Sequence, residues 1–178
     1  MAQWNIDPDH SVAAFSVRHL MIANVRGQFN RITGAINFDP SAPAGSTVEA
    51  TIDVSSITTG NRMRDDHLLS PDFFDAARYP SMSFKCTKVE LAGPNRGKVS
   101  GDLTIRGVTR QVTMDVEHFG PVKSPEAVGG ETSIGFTAKV SINREDFGVM
   151  WNIPLNAGGF VVGKEVEIVL DIEADLAE

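Results

Sequence analysis

Two short stretches of this sequence carry residue types that can perform acid–base chemistry. The first, "DPDHS", places two carboxylates, a histidine and a serine between Asp7 and Ser11; the second is "RMRDDHL", residues 62–68. Four such residues close in sequence do not make a catalytic triad, which is defined by geometry. Turn chemistry explains the first stretch at least as well, and the exposed face of a short helix explains the second. We therefore predict no catalytic residue, with an acid–base centre at His10 or His67 as the alternative.

The sequence has none of the residue spacings that metal or cofactor sites require. No HxH or HExxH pattern joins the four histidines, which are His10, His19, His67 and His118. No phosphate-cradling GxxxxGK[ST] loop occurs, and the glycines of "NAGGFVVG" do not stand between a strand and a helix. The single cysteine, Cys86, can form no internal disulfide and shares a strand face with Met82 and Phe84, so we predict a small core residue. The sequence predicts neither a metal nor a cofactor.

Composition excludes several classes of partner. The chain has 178 residues and a net charge of −7, which argues against binding to a nucleic-acid backbone and gives no attraction to anionic lipid headgroups. No run approaches the roughly 20 apolar residues of a membrane span, and the first residues lack the basic and apolar regions of an export signal. We expect one domain over residues 1–178, no stable membrane insertion and a cytoplasmic location, or a periplasmic one if a leader was removed.

Most of the chain is predicted to form β-strands, and these strands must position any functional site. Apolar and polar residues alternate at period two through most of the chain, as in "STVEATIDV" and in both arms of the hairpin Gly101–Gly120. A change of parity near Asn30–Arg31 predicts a bulge or sharp bend. One region, about residues 61–76, loses this period and predicts a short helix. About eight antiparallel strands can form a sandwich or a barrel, and one uninterrupted strand order favours an up-and-down barrel.

Small residues among the inward positions predict unfilled space inside such a barrel. Alanines and valines predominate there over bulky side chains, and a selected void in a core indicates a guest. Scarcely any inward position in the clearer strands is charged, and His118 is the main polar exception. The guest should therefore be almost wholly hydrocarbon, with any polar head at the mouth. A structural or partner-binding barrel with a packed interior is the alternative.

Five blocks of sequence resemble one known family in the expected order. They are "WNIDPDHSVAAFSVRHL", "VRGQFNRITGAINFD", "SSITTGNRMRDDHLLSPDFFDAARYPSMSF", "GDLTIRGVTR" and "NREDFGV". Together they resemble the YceI family of lipid-binding proteins over Trp4 to about Ala174. The resemblance implies a lipocalin-like antiparallel barrel with a helix beside it. It also implies binding of a polyisoprenoid, such as a quinone tail or a polyprenyl phosphate, or another long-chain amphiphile.

The candidate ligand-binding residues come from the alternation and from the resemblance. Inward positions predict a tail site lined by Phe15, Val17, Val48, Ala50, Ile52, Phe84, Leu103, Ile105, Val112, Met114, Phe136, Ala138, Val140 and Ile168. The mouth is predicted at Phe73, Phe74, Phe147 and Trp151. The resemblance carries over Phe15, Val17, His19, Phe29, Asp66, His67, Phe73, Phe74 and Phe147.

The sequence thus predicts a non-catalytic protein that binds an isoprenoid-type lipid for carriage, storage or sequestration. The enzyme alternative is an acid–base centre acting on a bound lipid. The ligand should be an amphiphilic long-chain lipid, and a homodimer is a further expectation because Val169 is an apolar residue on a polar strand face.

Overall fold

The computed structural model describes all residues 1–178, most of them in β-strands. The strand segments are β1 (Ala2–Ile6), β2 (Val12–His19), β3 (Ala23–Phe29), β4 (Ile32–Phe38), β5 (Thr47–Asp53), β6 (Ile57–Thr58), β7 (Ser81–Leu91), β8 (Arg96–Ile105), β9 (Val108–Lys123), β10 (Thr132–Asn143) and β11 (Val162–Leu176). One α-helix, α1 (Arg62–Leu69), lies between β6 and β7, and short 3-10 turns occupy several connections. The helix occupies the first half of the region in which the sequence predicted it.

These eleven segments form eight barrel strands, because three strands are each broken in two. Segments β1 and β2 both pair with β11, β4 and β3 pair with β1 and β2, and β5 and β6 pair with β4 and β3. From β5 the sheet continues through β7, β8, β9 and β10 back to β11, with every pair antiparallel. The predicted eight-stranded antiparallel barrel with one short helix is therefore confirmed, and strand order in space follows strand order in the chain.

The first break is the "DPDHS" stretch, which leaves the wall between β1 and β2. The Asp7 N–H donates to the Glu173 carbonyl of β11 at 2.9 Å. The Ser11 hydroxyl donates to that carbonyl and accepts from the Glu173 N–H, at 3.2 and 3.1 Å. Inside the loop, the Asp9 N–H donates to Oδ1 of Asp7 at 2.8 Å, which is the turn chemistry expected there.

The second break lies at Asn30–Arg31, between β3 and β4, where the change of parity predicted a bend. Both backbone N–H groups donate to Oγ of Ser56 at 3.1 Å. Ser56 belongs to a 3-10 turn, Val54–Ser56, that separates β5 from β6. One hydroxyl therefore satisfies the two amides that the interrupted ladder leaves free, and adjacent strands bend at the same level of the barrel.

Helix α1 is defined by its two caps. The Asn61 side chain accepts from the Arg64 N–H at the start, and the N–H of Ser70 donates to the carbonyl of His67 at the end. Pro71 follows, and a turn over residues 71–74 then carries Phe73 and Phe74 toward the barrel. No helix in this chain is long and apolar enough to cross a bilayer.

The connections between strands fall at two ends of the barrel. The helix end comprises the connections 20–22, 59–80, 106–107 and 144–161. The rim comprises the connections 39–46, 92–95 and 124–131. Fully buried side chains cover the helix end, where Phe147 is 2% exposed, and line one side of the barrel, where Ile134 and Trp4 pack with Ile36. The buried core therefore surrounds a lumen without filling it.

Candidate functional site

A cavity of about 290 Å³ occupies the lumen. It is lined by 45 residues, of which 35 are hydrophobic. Because most of the lining is hydrocarbon, a polar ligand group would find no hydrogen-bond partner in most of the cavity. The wall suits an apolar chain.

The inward side chains of the wall confirm that the lumen is under-packed. Val48, Ala50 and Leu103 all face the cavity, yet each is only partly buried. A close-packed interior leaves such positions almost inaccessible. The sequence prediction of unfilled space is therefore confirmed, and the alternative of a packed interior is wrong for this barrel.

The volume limits how much of a long ligand can lie inside. An apolar cavity of about 150 Å³ accommodates benzene, so about twice that volume accepts on the order of a dozen carbons. A longer isoprenoid tail would have to protrude or displace wall side chains.

The cavity opens at the rim and is closed at the helix end. Leu91 and Arg96 line it at the rim and are exposed, with Gly93 and Pro94 between them. At the helix end its lining residues include Phe73 and Phe147, both buried. The structure therefore differs from the expectation that Phe73, Phe74, Phe147 and Trp151 surround the mouth. The turn after α1 brings Phe73 and Phe74 to the helix end, and the β10–β11 connection brings Phe147 and Trp151 to the same end.

Most of the predicted ligand-binding residues are brought together around this cavity. Those that line it are Phe15, Val17, Phe29, Val48, Ala50, Ile52, Phe73, Phe74, Phe84, Leu103, Ile105, Met114, Phe136, Ala138, Val140, Phe147 and Ile168. Period-two alternation placed the strand residues on the correct face. Their contact with a ligand stays a prediction.

Val112 and Trp151 pack against the core without reaching the cavity. Val112 pairs with Gly101, where an added Cβ would collide with the ring of Phe84. That ring covers this part of the wall. Trp151 stacks on Phe73, with ring centroids 5.3 Å apart, and so lies behind the aromatic cover of the helix end.

Three polar residues carried over from the resemblance also lie outside the cavity lining. His67 packs edge-on against Trp151 at 5.0 Å, and its Nε2 lies 2.8 Å from the carboxylate of Asp72. Asp66 is exposed on the outer face of α1. His19 pairs with Ala23 at the hairpin of the helix end. None of the three lines the lumen.

Cys86 is half-buried and does not line the cavity, contrary to its prediction as a core residue. The register between β7 and β8 shifts between Cys86 and Lys88, so the inward face changes from even to odd positions and Val89 and Leu91 face the lumen. Burial raises the pKa of the Cys86 thiol. A raised pKa reduces the thiolate fraction and with it the reactivity of this side chain.

Arg144 lines the cavity and was not predicted from the sequence. It is 6% exposed, and it donates from Nε to the Gly163 carbonyl at 2.8 Å and from Nη1 to the Val149 carbonyl at 2.7 Å. A third bond joins Nη2 to the Val162 carbonyl at 3.3 Å. Burial lowers the pKa of this guanidinium, and the Glu145 carboxylate opposes that effect. The signal was present, since the inward alternation of β10 reaches position 144 after Ile142.

His118 faces the cavity from the rim half of β9, as its inward position indicated. Neither ring nitrogen has a hydrogen-bond partner, and both atoms are buried. The imidazole lies 4.9 Å from the ring centroid of Phe38 and 6.4 Å from that of Phe136. Arg144 and His118 therefore differ in their hydrogen bonding: the Arg144 guanidinium donates to three carbonyls, whereas neither ring nitrogen of His118 has a partner.

The "DPDHS" stretch does not form a nucleophile–base pair. Nδ1 of His10 lies 2.6 Å from Oδ2 of Asp7, whereas the Ser11 hydroxyl bonds the backbone of Glu173. The hydrogen bond to Asp7 raises the pKa of His10, and the same bond lowers the pKa of Asp7. Ligand atoms of Asp7, His10 and Glu173 lie within 4.8 Å of one another, the one grouping that could hold a metal ion. It lies outside the cavity lining.

The residues of the second acid–base stretch, "RMRDDHL", form hydrogen bonds that hold the start of α1. The Asp65 carboxylate accepts from the N–H of Thr59 at 2.9 Å and from its hydroxyl. The Arg64 guanidinium donates to the same hydroxyl and to the Thr59 carbonyl, both at 2.7 Å. These bonds fix the helix to the chain leaving β6. The role is structural, but Arg64 and Asp65 are half-buried and do not lie on the exposed face that the sequence predicted.

Comparisons with known proteins converge on one family and one fold. The YceI-like domain family matches residues 4–174. A UPF0312 protein of Staphylococcus aureus strain N315 is 35% identical over 178 residues, which is the whole of both chains. The crystal structure of BcnA from Burkholderia cenocepacia is 25% identical, with a TM-score of 0.79 over 94% of this chain and 98% of that one.

A further solved structure shares the fold at low sequence identity. It is described as a polyisoprenoid binding domain from Saccharophagus degradans, and it covers 99% of this chain and 100% of its own. The TM-score is 0.70 and the identity is 16%, so this likeness concerns the fold alone.

Proposed function

This chain belongs to the YceI-like family, and from that membership we propose that it binds a long-chain isoprenoid-type lipid in the barrel lumen. The bound lipid would be carried, stored or sequestered, without chemical change. The observation that supports this proposal best is the under-packed cavity, because 35 of its 45 lining residues are hydrophobic. The same fold in the Saccharophagus degradans protein is described as polyisoprenoid-binding, which agrees with the proposal.

The charges of the lining also favour a hydrocarbon ligand. Arg144 directs its donors to backbone carbonyls, and Arg96 lies 3.4 Å from the Glu117 carboxylate at the rim. Neither cation therefore requires an anionic ligand in the middle of the lumen. Transfer of a dozen methylene-sized groups from water would contribute on the order of 10 kcal/mol before the ordering of the chain is subtracted.

An enlarged side chain on the wall tests the site directly. Ala50 faces the cavity from β5, so Ala50→Trp should fill the lumen and abolish lipid uptake without unfolding the barrel. Its neighbour Thr51 is exposed on the same strand, so Thr51→Trp is the matched control and should retain the lipid. Mass spectrometry of organic extracts from protein purified without detergent measures the outcome. Unchanged lipid content in Ala50→Trp, or no lipid in the wild-type protein, would contradict the proposal.

The finer expectations from the sequence stay predictions. These are the isoprenoid quinone as a ligand, the absence of a cofactor, the homodimer and the cytoplasmic location. Light scattering of the purified protein measures its mass in solution, and fractionation of the source cells measures its location.

A further inference from the structure

The lumen contains one polar side chain whose hydrogen-bonding capacity no protein group satisfies. Nδ1 and Nε2 of His118 are both buried without a partner. An imidazole that carries one proton offers one N–H donor and one acceptor nitrogen. Buried polar groups in folded proteins are almost always paired, so an unpaired one needs a specific explanation.

His118 lines the cavity, and both ring nitrogens are covered in this structure, so a ligand oxygen reaches one of them only when the imidazole rotates or a neighbouring ring moves. The rings of Phe38 and Phe136 border the imidazole, and neither offers a conventional hydrogen-bonding atom. The backbone N–H of His118 donates to the Asn95 carbonyl at 3.0 Å, which places the residue beside the rim. Ser46, Asn95 and Arg96 also line this part of the cavity. Polar lining is therefore concentrated where the cavity opens.

We propose that His118 binds the polar head of the ligand through an uncharged hydrogen-bonding oxygen, a hydroxyl or a carbonyl. This inference rests on the proposed function, and it adds the chemical class of the head and its orientation. The head lies at the rim beside His118, and the tail extends along the hydrocarbon wall toward Phe73 and Phe147. A long-chain alcohol and a quinone both supply the required oxygen.

The charges at the rim favour an uncharged head over a phosphate. Arg96 is the cation of the lining at this end, and it is paired with Glu117. The carboxylate of Glu117 also accepts from the Asn95 side chain at 3.0 Å, so it is held close to the opening. A phosphate here would meet a carboxylate and a cation that is already engaged.

Three probes with the same isoprenoid skeleton separate the contribution of the head from that of the tail. Farnesol carries a hydroxyl, farnesene has none, and farnesyl phosphate carries an anion. One net hydrogen bond corresponds to about three- to tenfold in affinity, so wild-type protein should bind farnesol tighter than farnesene by about that factor. A quinone with a short isoprenoid tail, measured alongside, distinguishes a carbonyl head from an alcohol.

Two substitutions assign the preference to His118. His118→Leu removes both nitrogens, and His118→Phe does so while preserving an aromatic ring against Phe38 and Phe136. Each should lose the preference for farnesol and bind farnesene at least as tightly, because the buried hydroxyl then has no partner. Phe119→Leu changes the adjacent outward residue, which does not line the cavity, and should keep the wild-type preference.

The outcomes separate this inference from the function on which it rests. Equal binding of farnesol and farnesene by the wild type, or a preference that survives in both His118 variants, would overturn the head site while leaving lipid binding intact. Tighter binding of farnesyl phosphate than of farnesol would overturn the uncharged head. Failure of the wild type to bind any probe or native lipid would contradict the proposed function itself.

Discussion

Arg144 and His118 face the same cavity from opposite ends, and they differ in what holds them. Arg144 donates to three backbone carbonyls and thereby ties the β10–β11 connection to the start of β11. His118 has no partner for either ring nitrogen. The comparison shows that burial of a polar group does not by itself indicate a binding role. A group whose bonds are satisfied internally stabilises the fold, whereas an unsatisfied group facing a cavity points to a ligand.

The two ends of the barrel differ in the same way. At the helix end, Phe73, Trp151 and His67 form an aromatic cluster with ring centroids 5.0–5.3 Å apart. At the rim, short turns such as 92–95 leave lining residues in contact with solvent. We infer that the first end maintains the barrel and that the second admits the ligand.

The largest expected effect is the loss of Arg144. Arg144→Met leaves three carbonyls without their charged donor in a buried site and should lower the free energy of unfolding by about 3–5 kcal/mol. Urea denaturation followed by tryptophan fluorescence measures this loss. His118→Leu, which removes an unsatisfied polar group, should remain within about 1 kcal/mol of wild type. Equal destabilisation by the two substitutions would remove the distinction drawn between them.

A smaller loss of stability is expected from opening the aromatic cluster. Phe73 is 7% exposed, and Phe73→Ala should cost about 3 kcal/mol because it leaves a cavity at the helix end. The same denaturation experiment on Phe160→Ala provides the control. Phe160 is 42% exposed at that end, and its loss should change stability by less than about 0.5 kcal/mol. A small effect of Phe73→Ala would show that this end is not a packed cover.

Ligand entry distinguishes the ends kinetically. Leu91 lies on the rim, lines the cavity and is 54% exposed. Leu91→Asp places a charge in the path of the hydrocarbon and should slow association of a fluorescent fatty probe by about fivefold, equivalent to about 1 kcal/mol. Stopped-flow fluorescence measures the rate. Ile153→Asp at the helix end and Leu176→Asp beside the rim, neither in the lining, should leave it unchanged. A slower rate only for Ile153→Asp would reverse the assignment of the opening.

The smallest effect is expected from the Asp7–His10 pair, which belongs to neither end. The raised pKa of His10 makes the pair stabilising below the ordinary histidine value of about 6.5, and this contribution disappears as pH rises through the raised pKa. The lowered pKa of Asp7 removes it again in acid, as pH falls through that value. The melting temperature of His10→Asn should therefore lie below that of wild type by less than about 2 °C. This difference should appear only at pH values between the lowered pKa of Asp7 and the raised pKa of His10. A constant difference up to pH 9 would contradict this origin.

Much of the wall could be predicted from the sequence, because alternation depends only on local register. Ala50, Leu103 and Ala138 face the lumen, as the alternation of apolar and polar residues along their strands predicts. The prediction failed at Cys86, where one extra residue in β7 reverses the faces and no residue type marks the bulge. Backbone register of this kind depends on the partner strand, which a single sequence does not reveal.

The opening was harder to predict than the wall. The turn 92–95 and the 3-10 turn Pro43–Gly45 contribute lining residues without any periodic pattern. The aromatic residues after α1 suggested a mouth, but they form a cover because the turn at Pro71 directs Phe73 inward. Arg144 was not predicted because the alternation of β10 was followed only to Ile142, although the inward face continues to position 144.

Pairing of the last strand with the first has a consequence for biosynthesis. Trp4 lies opposite Leu176, and Phe15 lies opposite Ile168, so the seam joins residues more than a hundred positions apart. Contacts of such separation slow folding, because closing the long intervening loop costs entropy before the contacts are made. While the ribosome is still producing β11, β1 and β2 have an unpaired edge and no enclosed lumen exists. The lumen can therefore enclose a ligand only after translation, and a nascent chain stalled before residue 162 would expose an edge prone to aggregation.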